Sequence, residues 1–136
     1  MASSKGAVNP GWGRYGRLTY HPGVRCGDML FLSGQMGIDQ GTGKVVGEGE
    51  VVVQTRKAYE NIGLVLQAAG LGFGDVVKTV DYITPVALED YGKTGVVRQE
   101  FFGSSFPAST GVIINSLLRR EALIEIMAIA MRSQDF

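Results

Sequence analysis

The ten residues from Ala122 to Met131 form the most apolar run in the chain, and one carboxylate, Glu125, interrupts them. The run reads as a strand, Leu123 to Met131, in which successive side chains point to opposite faces. Glu125 therefore shares a face with Leu123 and Met127. A carboxylate on such a face is costly unless it is paired or solvated, and burial pushes its pKa upward. Two readings follow. A carboxyl group titrating nearer neutrality suits a general acid or base that handles a water proton. Alternatively, Glu125 faces a solvated groove or pairs with Arg119 or Arg120.

The rest of the composition narrows the class. The 136 residues, 45% of them hydrophobic, fit one globular domain spanning 1–136, with 1–15 an irregular N-terminal extension around Pro10 and several glycines. Thirteen basic residues balance thirteen acidic ones, so the charge footprint of a nucleic-acid binder is missing. The single cysteine, Cys26, excludes an internal disulfide. With one histidine, His21, it cannot build a Cys/His zinc cage. No metal is expected. The sequence contains no apolar stretch of membrane-spanning length and no basic-then-apolar leader. The expectation is a cytoplasmic domain that contacts neither membrane nor nucleic acid.

Periodicity orders the elements. Leu18–Tyr20 and Val24–Cys26 read as strand, followed by Met29–Ser33 after a Gly27-Asp28 turn. From about Glu50 to Ala69, Ala58, Ile62, Val65, Leu66 and Ala69 recur at helical spacing, and Gly70 is a natural stop. Val76–Thr84 is β-rich and ends at Pro85. A second helix is expected over Ala87–Phe102, weakened by Gly92 and Gly95, and a strand over Thr110–Asn115. The order ββ-α-β-α-ββ is an α+β pattern. Two helices cannot cover both faces of such a sheet, so one apolar face is left bare, which predicts self-association.

Other residues carry weaker signals. Ser109-Thr110 opens a strand, where hydroxyls can bind a ligand but more often satisfy local backbone groups. His21 has no Ser or Cys partner nearby in sequence and reads as a turn residue, Cys26 as a packing residue. Gly70, Gly72 and Gly74 follow a helix, whereas a dinucleotide fingerprint must follow a strand and open a helix. Trp12 and Tyr20 could stack on a planar ligand, although such rings are commonly core.

Taken together, several segments resemble one family. Val24-Arg25-Cys26-Gly27-Asp28-Met29-Leu30-Phe31-Leu32-Ser33-Gly34-Gln35 resembles the V-x-x-G-D-x-[LV]-[FY]-[LV]-S-G-Q signature of the Rid family (reactive intermediate deaminases, the YjgF type). Gln54-Thr55-Arg56, Glu60-Asn61 and Ala69-Gly70 resemble its long helix, and Asp75–Lys78 its D-V-V-K strand. Glu100–Phe102 with Phe106–Ala108 resembles its E-F-F…P-A segment, and Ala122–Ile126 its closing strand. The resemblance runs from about Tyr20 to Ala130. It implies a chorismate-mutase-like (YjgF-type) mixed sheet with two helices on one face, assembling as a homotrimer with sites between subunits. It also implies cofactor-free hydrolysis of reactive imines and enamines. By the same resemblance Glu125 positions or activates water, Tyr20 lines the pocket and backbone at Gly34 borders it.

The chain departs from the family where deaminating members carry a carboxylate-gripping arginine directly after P-A. Here Ser109 stands there, and a serine cannot supply a bidentate cationic clamp. In the second helix a family asparagine falls on Gly95 and a family tyrosine on Arg98. The expected substrate is a small C=N compound without a carboxylate, cyclic or aromatic, held by Ser109, Thr110 and stacking on Trp12 or Tyr20. The alternative is a non-catalytic trimer that binds a small ligand or a protein, with Arg17 or Arg25 as candidate replacement clamps. RNA cleavage is disfavoured by the zero net charge and the lack of a basic-aromatic stripe.

Overall fold

A computed structural model describes residues 5–132. One mixed sheet carries seven strands: β1 (Lys5–Val8), β2 (Gly23–Cys26), β3 (Met29–Leu32), β4 (Gln35–Met36), β5 (Val76–Ile83), β6 (Ala108–Ile113) and β7 (Ile124–Met131). Their order is β1-β2-β3-β7-β5-β6, and β4 also pairs with β7. All neighbours are antiparallel except β5 and β6. That parallel pair needs a crossover, which α2 (Leu88–Tyr91) and α3 (Gly95–Phe102) supply.

Helix α1 (Val51–Ala68) forms where the periodicity places it, with Ala58, Ile62, Val65 and Leu66 fully buried. It closes in a Schellman motif: Leu71 N–H donates to the Leu66 carbonyl and Gly70 N–H to that of Gln67. Gly70 takes the left-handed conformation this ending requires, φ +74°. Two buried amides then tie α1 to the sheet. Gln54 donates to the carbonyls of Gly47 and Glu121 and accepts from Leu123 N–H, fixing the entry to β7. Asn61 donates to the carbonyls of Met36 and Ile38, fixing β4.

Alternation along β7 is strict. Ile124, Ile126, Ala128 and Ala130 are buried under the helices, whereas Glu125, Met127 and Ile129 are half-buried on the other face. That second face has no α-helix on it among the described residues. Phe31 and Met131 remain 43% exposed and Val112 39%, so the expected bare apolar face is present.

Four local expectations are corrected. The segment 1–15 is not wholly irregular: Lys5–Val8 pairs with β2, while 1–4 lie outside the described residues. Leu18–Tyr20 is not a strand but bends away after a 3-10 turn over Gly13–Arg17. The second helix is broken by a 3-10 step at Gly92–Thr94, where two glycines lower helix propensity. Cys26 lies in β2 but is exposed rather than packed.

Candidate active site

β3 and β4 are one strand interrupted. Phe31 pairs with Ile129, but Gln35 pairs with Ile126, so Leu32–Gly34 holds one residue more than the facing stretch of β7. Such a bulge turns side chains and backbone away from the ladder. At this break Gly34 lies against the Glu125 side chain. A Cβ on Gly34 would lie 2.7 Å from Glu125 Oε1, so only glycine leaves the carboxylate where it is.

A cleft of about 300 Å³ opens here, lined by Arg14, Tyr15, Tyr20, Ser33, Gly34, Met36, Ile38, Leu118 and Glu125. This is the small end of the range for ligand pockets. Glu125 is half-buried on its wall. Among the described residues no ion pair or hydrogen bond holds its carboxylate, and burial raises its pKa. Arg119, a sequence candidate for pairing with it, instead donates to the Gly43 carbonyl and faces Glu121.

The cleft gathers three of the residues singled out from sequence, Glu125, Tyr20 and Gly34. Trp12 lies one ring behind, stacked on Tyr15 at 5.9 Å, and does not line the cleft. Ser109 and Thr110 sit on edge strand β6, outside it. Thr110 Oγ1 accepts a hydrogen bond from Lys78 Nζ at 2.6 Å. Ser109 is in register with buried Thr79 on the helix-covered side.

Sequence reasoning missed Arg14 and Tyr15. Tyr15 is 5% exposed, and Tyr20 meets it edge-on at 5.8 Å. The Arg14 guanidinium lies over the Tyr15 ring, 4.6 Å from its centroid. Neither sequence candidate for a replacement clamp is in the cleft. Arg25 donates to the Ala69 carbonyl at the end of α1, and Arg17 is exposed outside the lining. The cleft nonetheless has a cation in its lining, Arg14. The signal for Arg14 was its place between Trp12 and Tyr15, two aromatics able to anchor an otherwise irregular segment.

Among the described residues, no three His, Cys, Asp or Glu side chains are grouped to hold a metal ion, and no helix is long and apolar enough to cross a membrane.

Comparison with known proteins places this architecture. The Endoribonuclease L-PSP family profile matches residues 15–132. A RutC family protein of Pyrococcus horikoshii is 40% identical over 113 residues, 83% of this chain and 86% of that one. The 2-iminobutanoate/2-iminopropanoate deaminase of Salmonella typhimurium is 36% identical over 116 residues, 83% and 87% of the two chains. Among solved structures, the Rid-family protein YyfA of Yersinia pestis superimposes with TM-score 0.85 at 28% identity, covering 94% of this chain and 99% of that one. Escherichia coli TdcF with bound serine superimposes with TM-score 0.75 at 34% identity, covering 84% and 88%. By its sequence, its sheet order and its relatives, a group that includes imine deaminases, the chain belongs to the Endoribonuclease L-PSP family, the Rid or YjgF family.

Proposed function

We propose that this protein hydrolyses a small reactive imine or enamine, with Glu125 activating the attacking water. The observation that carries the reading is the Glu125 carboxylate itself: half-buried, unpaired among the described residues and on the wall of an open cleft. A carboxylate with no cation to hold it can take a proton and return it, which a salt-bridged one does poorly. The relatives that are imine deaminases support the reaction class.

The chemistry balances without a cofactor. Water adds to the C=N carbon as Glu125 accepts its proton. Glu125 passes that proton to nitrogen, giving a carbinolamine. It then takes the carbinol hydroxyl proton and delivers it to the nitrogen as the C–N bond breaks, so the oxygen becomes a carbonyl and ammonia leaves. One imine and one water thus give one carbonyl compound and one ammonia. An iminium form is drawn toward ionised Glu125, and burial strengthens that attraction.

The assembly belongs to the same proposal. The bare face bearing Phe31, Ile129 and Met131 is covered by other copies in a homotrimer, as the family resemblance implies. The expectation of a carboxylate-free substrate rests on Ser109 standing where the family carries its arginine; Arg14 is a cation that lines the cleft from another element.

The test is hydrolysis of imines generated in situ from amino acids and from simple amines, followed as ammonia release. Acceleration over buffer that is lost in Glu125→Gln is the expected result. No acceleration across the panel would overturn the reading in favour of a non-catalytic ligand binder.

A further inference from the structure

We propose that residues 9–22 form a hinged lid over the Glu125 cleft, latched shut by Gln40 from outside the cleft. The lid governs entry to the site described above, so its role in turnover rests on the imine-hydrolase reading.

The segment leaves the sheet and returns to it at one point. Val8, the last residue of β1, pairs with Gly23, the first of β2. Residues 9–22 are therefore a closed excursion with adjoining ends, in the length range of a compact Ω-loop. Much of its hydrogen bonding is internal. Asn9 Oδ1 accepts from the amides of Gly11 and Trp12, and Asn9 Nδ2 donates to the Trp12 carbonyl. The 3-10 turn closes with Tyr15 N–H on the Trp12 carbonyl and Leu18 N–H on that of Tyr15. At the returning end, Ser33 donates through Oγ to the His21 carbonyl and through its N–H to that of Pro22. Among the described residues, no backbone–backbone hydrogen bond joins 9–20 to the body of the protein.

Side chains hold the loop down. Tyr15 is its one buried residue before Pro22, and Trp12 stacks on Tyr15 and packs against the core. The Tyr15 hydroxyl accepts from Gln35 Nε2 at 3.4 Å, and Arg14 Nε donates to Gln40 Oε1 at 3.2 Å. The first is a long contact and the second is at the outer edge of ordinary N–H···O distances. Gln40 belongs to a turn closed by Gly43 N–H on the Asp39 carbonyl and does not line the cleft, whereas Arg14 does. Their bond thus ties the loop to a separate segment.

This latch carries its own penalty. To accept from Arg14, the Gln40 amide turns its oxygen that way, and its Nε2 is left buried without a partner among the described residues. A stranded donor opposes the closed arrangement, and water satisfies it when the loop lifts. Glycine adds backbone freedom. A Cβ at Gly13 or Gly16 would meet nothing within 4 Å, and neither residue has a positive φ. Neither packing nor backbone angle demands glycine there, so its effect is to leave the turn loose. The loop carries Arg14, Tyr15 and Tyr20 of the cleft lining, so lifting it moves that wall as one piece, while Glu125 stays in β7.

Trp12, the single tryptophan of the chain, is a built-in probe of the closed loop. Acrylamide quenching of its fluorescence is measured on the full chain in wild type, Gln40→Ala and Gln40→Glu. Gln40→Ala removes the latch and is expected to raise the quenching constant at least twofold. Gln40→Glu puts a carboxylate on Arg14, with no stranded N–H, and is expected to lower the constant below wild type. General loosening does not move two variants of one position in opposite directions. Equal constants in the three proteins, or a shift of the same sign in both variants, with circular dichroism unchanged, overturns the lid. This readout needs no turnover, so opposite shifts without any imine hydrolysis sink only the reaction reading. Where imines are hydrolysed, Gln40→Ala is expected to raise KM at least threefold with kcat no lower. Gln40→Glu, which holds the loop shut, is expected to lower kcat at least threefold. Hydrolysis with both constants unchanged in both variants overturns the lid and leaves the reaction standing.

Discussion

Ser109 and Glu125 lie on opposite faces of one sheet. Ser109 is in register with Thr79, and Gly111, two residues on, lies against the Tyr91 hydroxyl on the helix side. Glu125 is in register with Tyr82 on the uncovered face. Strand β5 stands between β6 and β7, and Ser109 does not line the Glu125 cleft of its own protomer. A family arginine at this position can serve a Glu125 cleft only across a subunit boundary. In the proposed trimer, Ser109→Arg is therefore expected to raise kcat/KM for carboxylate-bearing imines several-fold, adding a second cation to the one Arg14 supplies. Hybrid assemblies test the route. A chain carrying both Ser109→Arg and Glu125→Gln, mixed with wild type, forms clefts that combine an intact Glu125 with the introduced arginine of a neighbour. Those hybrids gain activity over hybrids made with Glu125→Gln alone. Equal activity of the two hybrid sets would show that position 109 serves no neighbouring cleft.

The raised pKa of Glu125 predicts opposite pH effects on activity and stability. Its cause is desolvation on a half-buried strand, with no cation to offset it. As a base it works ionised, so kcat/KM falls as pH drops through a pKa above the ordinary 4.5 of a glutamate. For folding the sign reverses. The native state holds this proton more tightly than the unfolded chain, so the stabilisation is complete below 4.5. It is lost as pH rises through the folded-state value. Glu125→Gln is expected to reduce kcat by roughly 10²–10⁴. Above that pH window the variant also melts at a higher temperature than wild type. Melting scans from pH 4 to 8 read the effect: a variant advantage that shrinks with rising pH would contradict it.

Gly34 is predicted to matter for chemistry more than for folding. Its backbone is in a region open to any residue, so alanine meets no left-handed strain. The added Cβ would lie 2.7 Å from Glu125 Oε1 and 2.9 Å from its Cγ. The end of a glutamate side chain can swing away at little cost, whereas the sheet beneath it cannot. Gly34→Ala should therefore unfold within about 1 kcal/mol of wild type while losing 10- to 100-fold in kcat. Denaturant melts and initial rates on the same preparation separate the two, and a fully active Gly34→Ala would show that the carboxylate position is not critical.

What could be read in advance divides by the range of the forces involved. Helix α1 was legible because Ala58, Ile62, Val65 and Leu66 repeat with the period of the structure they form. β7 was legible because its alternation placed Glu125 opposite the buried Ile124 and Ile126. β1 was not: Lys5-Gly6-Ala7-Val8 has one β-branched residue, and its strand exists only because the β2 edge offers unpaired backbone groups. The second helix carried its warning in Gly92 and Gly95, but a propensity of about 1 kcal/mol per glycine does not reveal where a helix will tighten to 3-10. Arg14 was the costliest omission. Its role arises from a turn that packs Tyr15 against Gln35 and so brings residues far apart in sequence to one cleft. The flanking aromatics Trp12 and Tyr15 mark the segment as anchored, but they do not say against what.

On the opposite side of the sheet from the cleft, Asp81 is 2% exposed, and burial raises its pKa. The Tyr91 hydroxyl donates to its Oδ2 at 2.5 Å, while Oδ1 has no partner among the described residues. Tyr91 thus joins α2 to β5 through a buried carboxylate already short of one bond. Tyr91→Phe removes the remaining donor and is expected to cost about 1.5–3 kcal/mol at neutral pH. The cost follows the charge. With the tyrosine gone, the carboxyl pKa rises further, so the variant's deficit shrinks as pH falls and Asp81 takes up a proton. The attribution is checked by a double-mutant cycle, because in an Asp81→Asn background the same Tyr91→Phe change should cost distinctly less. Urea melts of the four proteins at pH 7 and pH 5 supply the numbers. An identical Tyr91→Phe penalty in both backgrounds would assign the loss to the hydroxyl's contacts with other neighbours instead of to the bond with Asp81.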